Sequence, residues 1–237
     1  LNIRPKGVYV DLTFGGGGHS REVLNKLGKH GRLIAFDQDQ DAEANIPEDR
    51  RIIFIGANFR YLKHYLRYHA IEKVDGVLAD LGISSHQIDQ PGRGFSFKSE
   101  AVLDMRMNVR SAGGAAEILN GYSTGELTRI FRHYGELRNA GALAAAIVRA
   151  RADAPLTYTS DLEKVLLRFI PKNHPNKFLA KVYQALRIEV NHEMESLGEM
   201  LMQTADLMKP GGRLAVITYH SVEDRLVKNY MRSGNLE

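Results

Sequence analysis

Five short apolar runs constrain this chain more than any other feature, because four fall within the first 81 residues and the fifth comes only after residue 212. Residues 8–14 (VYVDLTF), 32–37 (RLIAFD), 51–56 (RIIFIG), 74–81 (VDGVLADL) and 213–219 (RLAVITY) each read as a buried strand. Helical segments at residues 19–27 and 62–69 lie between the early ones. Strands alternating with helices predict a parallel sheet covered on both faces, an α/β fold.

The pattern then breaks. Residues 82–99 are dense in Ser, Gly and Pro and read as a long loop, a kind of segment that is often functional. Helical signals follow. Ser123-x-x-Glu126 and Ser160-x-x-Glu163 match capping boxes. Leu127, Ile130, Phe131 and Tyr134 follow the first at helical spacing, and Val165, Leu166 and Phe169 the second. Residues 142–148 form helix strongly, residues 171–175 interrupt, and residues 178–208 read as one long helix or two consecutive ones closed by Pro210-Gly211-Gly212. The α/β pattern thus pauses near residue 100 and resumes near 200. This predicts a discontinuous sheet domain, 1–100 with 200–237, and an inserted all-helical domain, 101–199.

Composition narrows the function. The absence of cysteine excludes a disulfide scaffold and a thiolate zinc site, and it fits a cytoplasmic protein. No apolar run is long enough to span a membrane, and no signal peptide is visible. The opening Leu1 in place of Met leads us to expect a short leader or first helix upstream. The formal net charge is +4, and residues 120–192 hold 11 Lys/Arg against six Asp/Glu. That stretch is either a solvated helical surface or a face for phosphates. Oligomeric state is not legible.

The first strand runs into Gly15-Gly16-Gly17-Gly18-His19-Ser20, where glycines let backbone approach a ligand and turn sharply into a helix. Asp37 ends the second strand, 19 residues after Gly18. It either accepts hydrogen bonds from both ribose hydroxyls of an adenosine or caps the next helix. Dinucleotides and S-adenosylmethionine both use this layout. Asp11 in the first strand and Asp80 at the end of the fourth add negative charge, which suits a cationic sulfonium and repels a pyrophosphate, so S-adenosylmethionine is favoured over NAD. Phe59 after the third strand either stacks on adenine or packs in the core.

At this point blocks of the sequence become recognisable. Asp11-Leu12-Thr13-Phe14-Gly15-Gly16-Gly17-Gly18-His19-Ser20, Asp80-Leu81-Gly82-Ile83-Ser84-Ser85-His86-Gln87 and Arg93-Gly94-Phe95-Ser96-Phe97 resemble motifs of the bacterial ribosomal RNA small subunit methyltransferase H family, also called MraW. So do Leu103-Asp104-Met105-Arg106-Met107, Tyr134-Gly135-Glu136, Ala185-Leu186-Arg187-Ile188-Glu189-Val190-Asn191 and Tyr219-His220-Ser221-Val222-Glu223-Asp224-Arg225, in family order over nearly the whole chain. The resemblance implies N4-methylation of a cytosine in the decoding region of 16S ribosomal RNA, acting on the RNA or on the small ribosomal subunit. It implies a Rossmann-like class I methyltransferase sheet with the helical insert. It implies cofactor contacts at Gly17, Gly18, His19, Asp37, Phe59, Asp80 and Gln87. The family pattern also has an N-terminal His-x-Pro-Val segment and a tail after the fifth strand, and it often has proline where His86 stands.

For the chemistry, an acceptor on one N–H of the cytosine amine would aim its lone pair at the methyl group, so catalysis would be mostly positioning. Asp80 and the Ser84-Ser85 pair lie at the ligand-binding sheet edge, and Asp80 or a neighbouring carbonyl is the expected acceptor. Asp80 orienting only the cofactor is the alternative. Phe95 and Phe97 either stack on a flipped base or anchor the loop. Arg93 and Arg106 either contact phosphates or pair with acids such as Asp104. His220 either contacts substrate or makes a structural hydrogen bond. The histidines are too scattered for a metal site, and methyl transfer from a sulfonium needs no metal. The rival readings are an NAD-dependent oxidoreductase, an RNA-binding or assembly protein that has lost activity, and a methyltransferase acting on DNA or a small molecule.

Overall fold

The computed structural model describes residues 1–236. In chain order the elements are β1 (Val8–Asp11), α1 (Gly18–Lys26), β2 (Arg32–Phe36), β3 (Ile52–Ile55), α2 (Leu62–Tyr68), β4 (Val74–Asp80), α3 (Ser85–Asp89) and α4 (Ala115–Gly121). They continue with α5 (Thr124–His133), α6 (Ala140–Asp153), α7 (Thr159–Leu166), α8 (Pro175–Asn191), α9 (Glu193–Leu207), β5 (Met208–Ile217) and α10 (Ser221–Ser233). The chain forms two compact units, Leu1–Ser84 with the stretch from Met194 onward, and Ser85–Glu193.

In the first unit the five strands are all parallel, in the order β3-β2-β1-β4-β5. The chain winds outward from β1 to β3 and returns to β4 beside β1, a Rossmann-like order whose direction reverses between β1 and β4. Tyr9 pairs with Leu33 and Val10 with Ile34. Because side chains alternate along a strand, these two pairs face opposite sides of the sheet. Tyr9 and Leu33 pack with Val23, Leu24 and Leu27 around α1. Val10 and Ile34 pack with Leu62 and Leu66 of α2 and with Leu197, Met200 and Leu201 of α9. Both faces are therefore buried, which is why the strands read as continuous apolar runs.

Two strands differ from expectation by more than one residue at an end. β1 stops at Asp11 because the Asp11 carboxylate turns back on the chain and accepts the Thr13 amide at 3.2 Å. β5 begins five residues early, at Met208, with a register irregularity between Val74 and Gly76. Pro210-Gly211-Gly212 lies within that irregularity, where a residue lacking N–H and a glycine at φ 76° cost the ladder nothing.

The second unit is helical. Leu127, Ile130 and Phe131 of α5, Leu143 and Ile147 of α6, and Val182 and Leu186 of α8 are all buried. The Ser123–Glu126 capping box forms in both directions. The second box does not form at Ser160. Instead Asp161 accepts the Thr157 and Tyr158 amides, starting α7 at Thr159, while the Ser160 hydroxyl donates to Glu100 at 2.8 Å. The span 178–208 is two helices, broken at His192 in left-handed conformation. This unit starts at Ser85 rather than at residue 101, since the long loop is tied to it. Arg93 donates to the Arg106 and Met107 carbonyls, and Met105 donates to the Arg93 carbonyl.

Candidate functional site

The ends of β1, β2 and β4 converge on the glycine turn. Asp37, one residue past β2, accepts the Gly15 amide through Oδ2 at 2.7 Å and the Asp39 amide through Oδ1 at 2.8 Å. Burial pushes its carboxyl up to about 6, against the opposing pull of those two amides. Asn58, past β3, donates to Gln38 at 2.9 Å and so ties the next loop to the same corner. Phe59 is half-buried there and packs against the α2 side of the core.

Gly17 caps α1 with φ 74°, and an added Cβ there would lie 2.9 Å from the Phe14 ring. Side chains at Gly16 and Gly18 would meet no heavy atom within 4 Å, so these two leave open space at the turn. Ser84 lies beside the same turn, its Cβ 3.9 Å from where a Gly15 Cβ would stand. The side chain of Ser85 lies outside the described residues.

Asp11 is buried and receives the Ser20 hydroxyl at 2.7 Å. Desolvation raises its carboxyl above the usual range, which Ser20 and Thr13 oppose. Asp11 is thereby tied to Ser20 of α1 and to the chain just after β1.

Asp80 is placed differently. Its amide donates to Thr13 Oγ1 at 2.7 Å, its Oδ2 lies 3.3 Å from His19 Nε2, and its Oδ1 accepts the Tyr219 hydroxyl at 2.9 Å. About a quarter of its side chain remains exposed. Tyr219 and Thr13 were not singled out from the sequence. Thr13 stands two residues after Asp11, a spacing that could have signalled a shared face, and Tyr219 ends the fifth apolar run directly before the chosen His220.

His220 is the N-cap of α10, with Nδ1 accepting the Glu223 amide at 3.3 Å. Its ring is nearly buried, with Nε2 3.2 Å from Glu223 Oε1.

The remaining expected residues belong to the helical unit. Gln87 is buried on α3. Phe95 is buried beneath the Arg93 guanidinium, 5.5 Å from its ring centre, so it anchors the loop. Phe97 meets Tyr183 edge-on at 5.6 Å. Arg106 is held by both Asp104 oxygens and by the Val109 and Ser111 carbonyls. The guanidiniums of Arg93 and Arg106 thus serve backbone carbonyls and Asp104 within this unit.

A parallel sheet whose winding reverses beside a glycine turn, with carboxylates at the ends of three strands, defines an α/β unit of the Rossmann-like, nucleoside-binding class. The chain belongs to the MraW methylase family, whose model matches residues 1–236, and it is a methyltransferase. A protein of Bacteroides thetaiotaomicron named Ribosomal RNA small subunit methyltransferase H is 54% identical over 237 residues, spanning all of this chain and 78% of that protein. Its namesake in Flavobacterium johnsoniae is 52% identical over the same spans. Among solved structures, a putative rRNA-methylase from Clostridium thermocellum aligns at 22% identity and TM-score 0.31 over 35% of this chain and 49% of that one, a likeness too slight to bear on fold or function. Membership in a methylase family removes the nicotinamide oxidoreductase as a reading.

Proposed function

We propose that the chain methylates the N4 amine of a cytosine in the decoding region of 16S ribosomal RNA, with S-adenosylmethionine as donor and the cytoplasmic small subunit or its RNA as acceptor. The observation that carries the reading is Asp37 fixed to Gly15 beside two glycines that leave an open cradle. Each Asp37 oxygen accepts one amide and keeps a lone pair for a ribose hydroxyl, so the donor set fits an adenosine. The names of the relatives support the acceptor, as do the exposed Arg132, Arg138, Arg149, Lys172 and Lys177 of the helical unit.

When bound, S-adenosylmethionine supplies a methyl group on a cationic sulfur. Asp37 holds the ribose, and the side-chain-free faces of Gly16 and Gly18 line the cradle. Asp11 and Asp80 place negative charge where the donor is cationic. Asp80, the partly exposed carboxylate at the switch between β1 and β4, accepts one N–H of the cytosine amine and turns its lone pair toward the donor. Ser84 flanks the turn as a second polar contact.

Small subunits from a strain lacking this methyltransferase, incubated with purified protein and labelled S-adenosylmethionine, should yield labelled N4-methylcytidine on nucleoside analysis. Label on another nucleoside would overturn the proposed position. Absence of label, together with no calorimetric heat for S-adenosylhomocysteine, would overturn the reading as a whole.

A further inference from the structure

We propose that Tyr219 is a positioning residue for methyl transfer, orienting the Asp80 carboxylate that receives the acceptor amine. The inference rests on the function proposed above and adds a residue to its machinery.

Tyr219 is 70% exposed, yet its hydroxyl is engaged with Asp80 across 139 positions of sequence. An exposed tyrosine on a free loop would have no reason to stay there, because holding it costs side-chain entropy. Three contacts fix this one. The buried Glu223 carboxylate accepts the Tyr219 amide at 3.0 Å and the His220 amide at 3.4 Å. His220 caps the same turn from the other side, accepting the Glu223 amide. The Tyr219 ring also lies beside Gly82, with Cδ2 3.6 Å, ordinary van der Waals contact, from where a Cβ would stand. The capping turn of α10 thus fixes the Tyr219 backbone, the ring rests beside Gly82, and the hydroxyl reaches Asp80.

Asp80 needs this support. Its backbone is pinned by Thr13, but its carboxylate rotates about a broad terminal torsion unless both oxygens are held. Tyr219 takes Oδ1 and His19 stands 3.3 Å from Oδ2. A carboxylate held from two sides presents its remaining lone pairs in one direction, which is what aiming an amine lone pair requires.

The test is Tyr219→Phe, which keeps the ring and removes the hydroxyl. In transfer to small subunits its kcat should fall about tenfold, the scale of a hydrogen bond to a charged group, with KM, S-adenosylhomocysteine affinity and melting temperature unchanged. In an Asp80→Asn background, single-turnover transfer should show no further loss from Tyr219→Phe. A second readout needs no acceptor. The Asp80 carboxylate holds the Tyr219 phenol above its ordinary range. In protein labelled at tyrosine ζ-carbons, the resonance missing from Tyr219→Phe should therefore titrate lower in Asp80→Asn. Unchanged kcat in Tyr219→Phe, an equal loss in both backgrounds, or an unmoved titration would each overturn the positioning role. Inactive wild-type protein would mark failure of the proposed function, whereas active wild type with an equally active Tyr219→Phe marks failure of this inference alone.

Discussion

Asp37 Oδ2 and the Gly15 amide, 2.7 Å apart, join the end of β2 to the turn that follows β1. Burial holds this carboxyl at about 6. A value above that of the unfolded chain means the folded protein keeps the proton more tightly between about pH 4 and 6. Stability from this group is therefore lost as pH rises through that window, and ionised Asp37 costs on the order of 3 kcal/mol above it. Ribose hydroxyls would relieve that cost. Affinity for S-adenosylhomocysteine should therefore rise, by up to about tenfold per pH unit, as pH climbs toward 6, and level off above. Calorimetry from pH 5 to 8 checks it. Asp37→Asn should bind weakly with a flat profile, and a flat wild-type profile would refute the assignment.

Gly17 and Gly18 are neighbours with different constraints. Alanine at Gly17 must adopt φ 74° and collide with Phe14, so Gly17→Ala should lower stability by about 1–3 kcal/mol in urea unfolding. Gly18→Ala meets nothing in the protein and should melt as wild type does. If the cradle takes the donor, Gly18→Ala should nonetheless weaken S-adenosylhomocysteine binding at least tenfold. Unaltered binding would place the ligand elsewhere.

His220→Asn should retain transfer activity, because asparagine caps helices well. His220→Ala should lose about 1 kcal/mol of stability. A large loss of kcat in His220→Asn at unchanged melting temperature would restore a direct substrate role for the ring.

Arg106→Lys keeps the charge but not the planar fork that spans both Asp104 oxygens and two carbonyls. Amides of residues 104–111 should exchange faster with deuterium, and KM for subunits should rise only as far as that loosening dictates. An increase in KM with unchanged exchange would point to direct phosphate contact.

The sheet was legible because burial on both faces writes itself as apolar runs, as in Leu33 to Phe36. The glycine turn and Asp37 were legible because their spacing is local. What the sequence concealed was non-local. Whether Phe95 stacks on a ligand or anchors its loop depends on Arg93 folding over it, and whether Arg106 is free depends on carbonyls the sequence does not display as partners. The start of α7 fell to Asp161, which accepts the Tyr158 amide, because the Ser160 hydroxyl is taken by Glu100, sixty residues away. Nothing near Tyr219 in sequence announces Asp80.

The interruption between β4 and β5 has a consequence for synthesis. β4 emerges from the ribosome with one side of its ladder unmatched, and β5 is made only after the whole helical unit. Until then the nascent chain carries an exposed sheet edge and an apolar surface lacking α9, the kind of species that aggregates or recruits chaperones. Asp80 likewise stays without its tyrosine partner until the helical unit has been made, because the two residues of that hydrogen bond stand 139 positions apart.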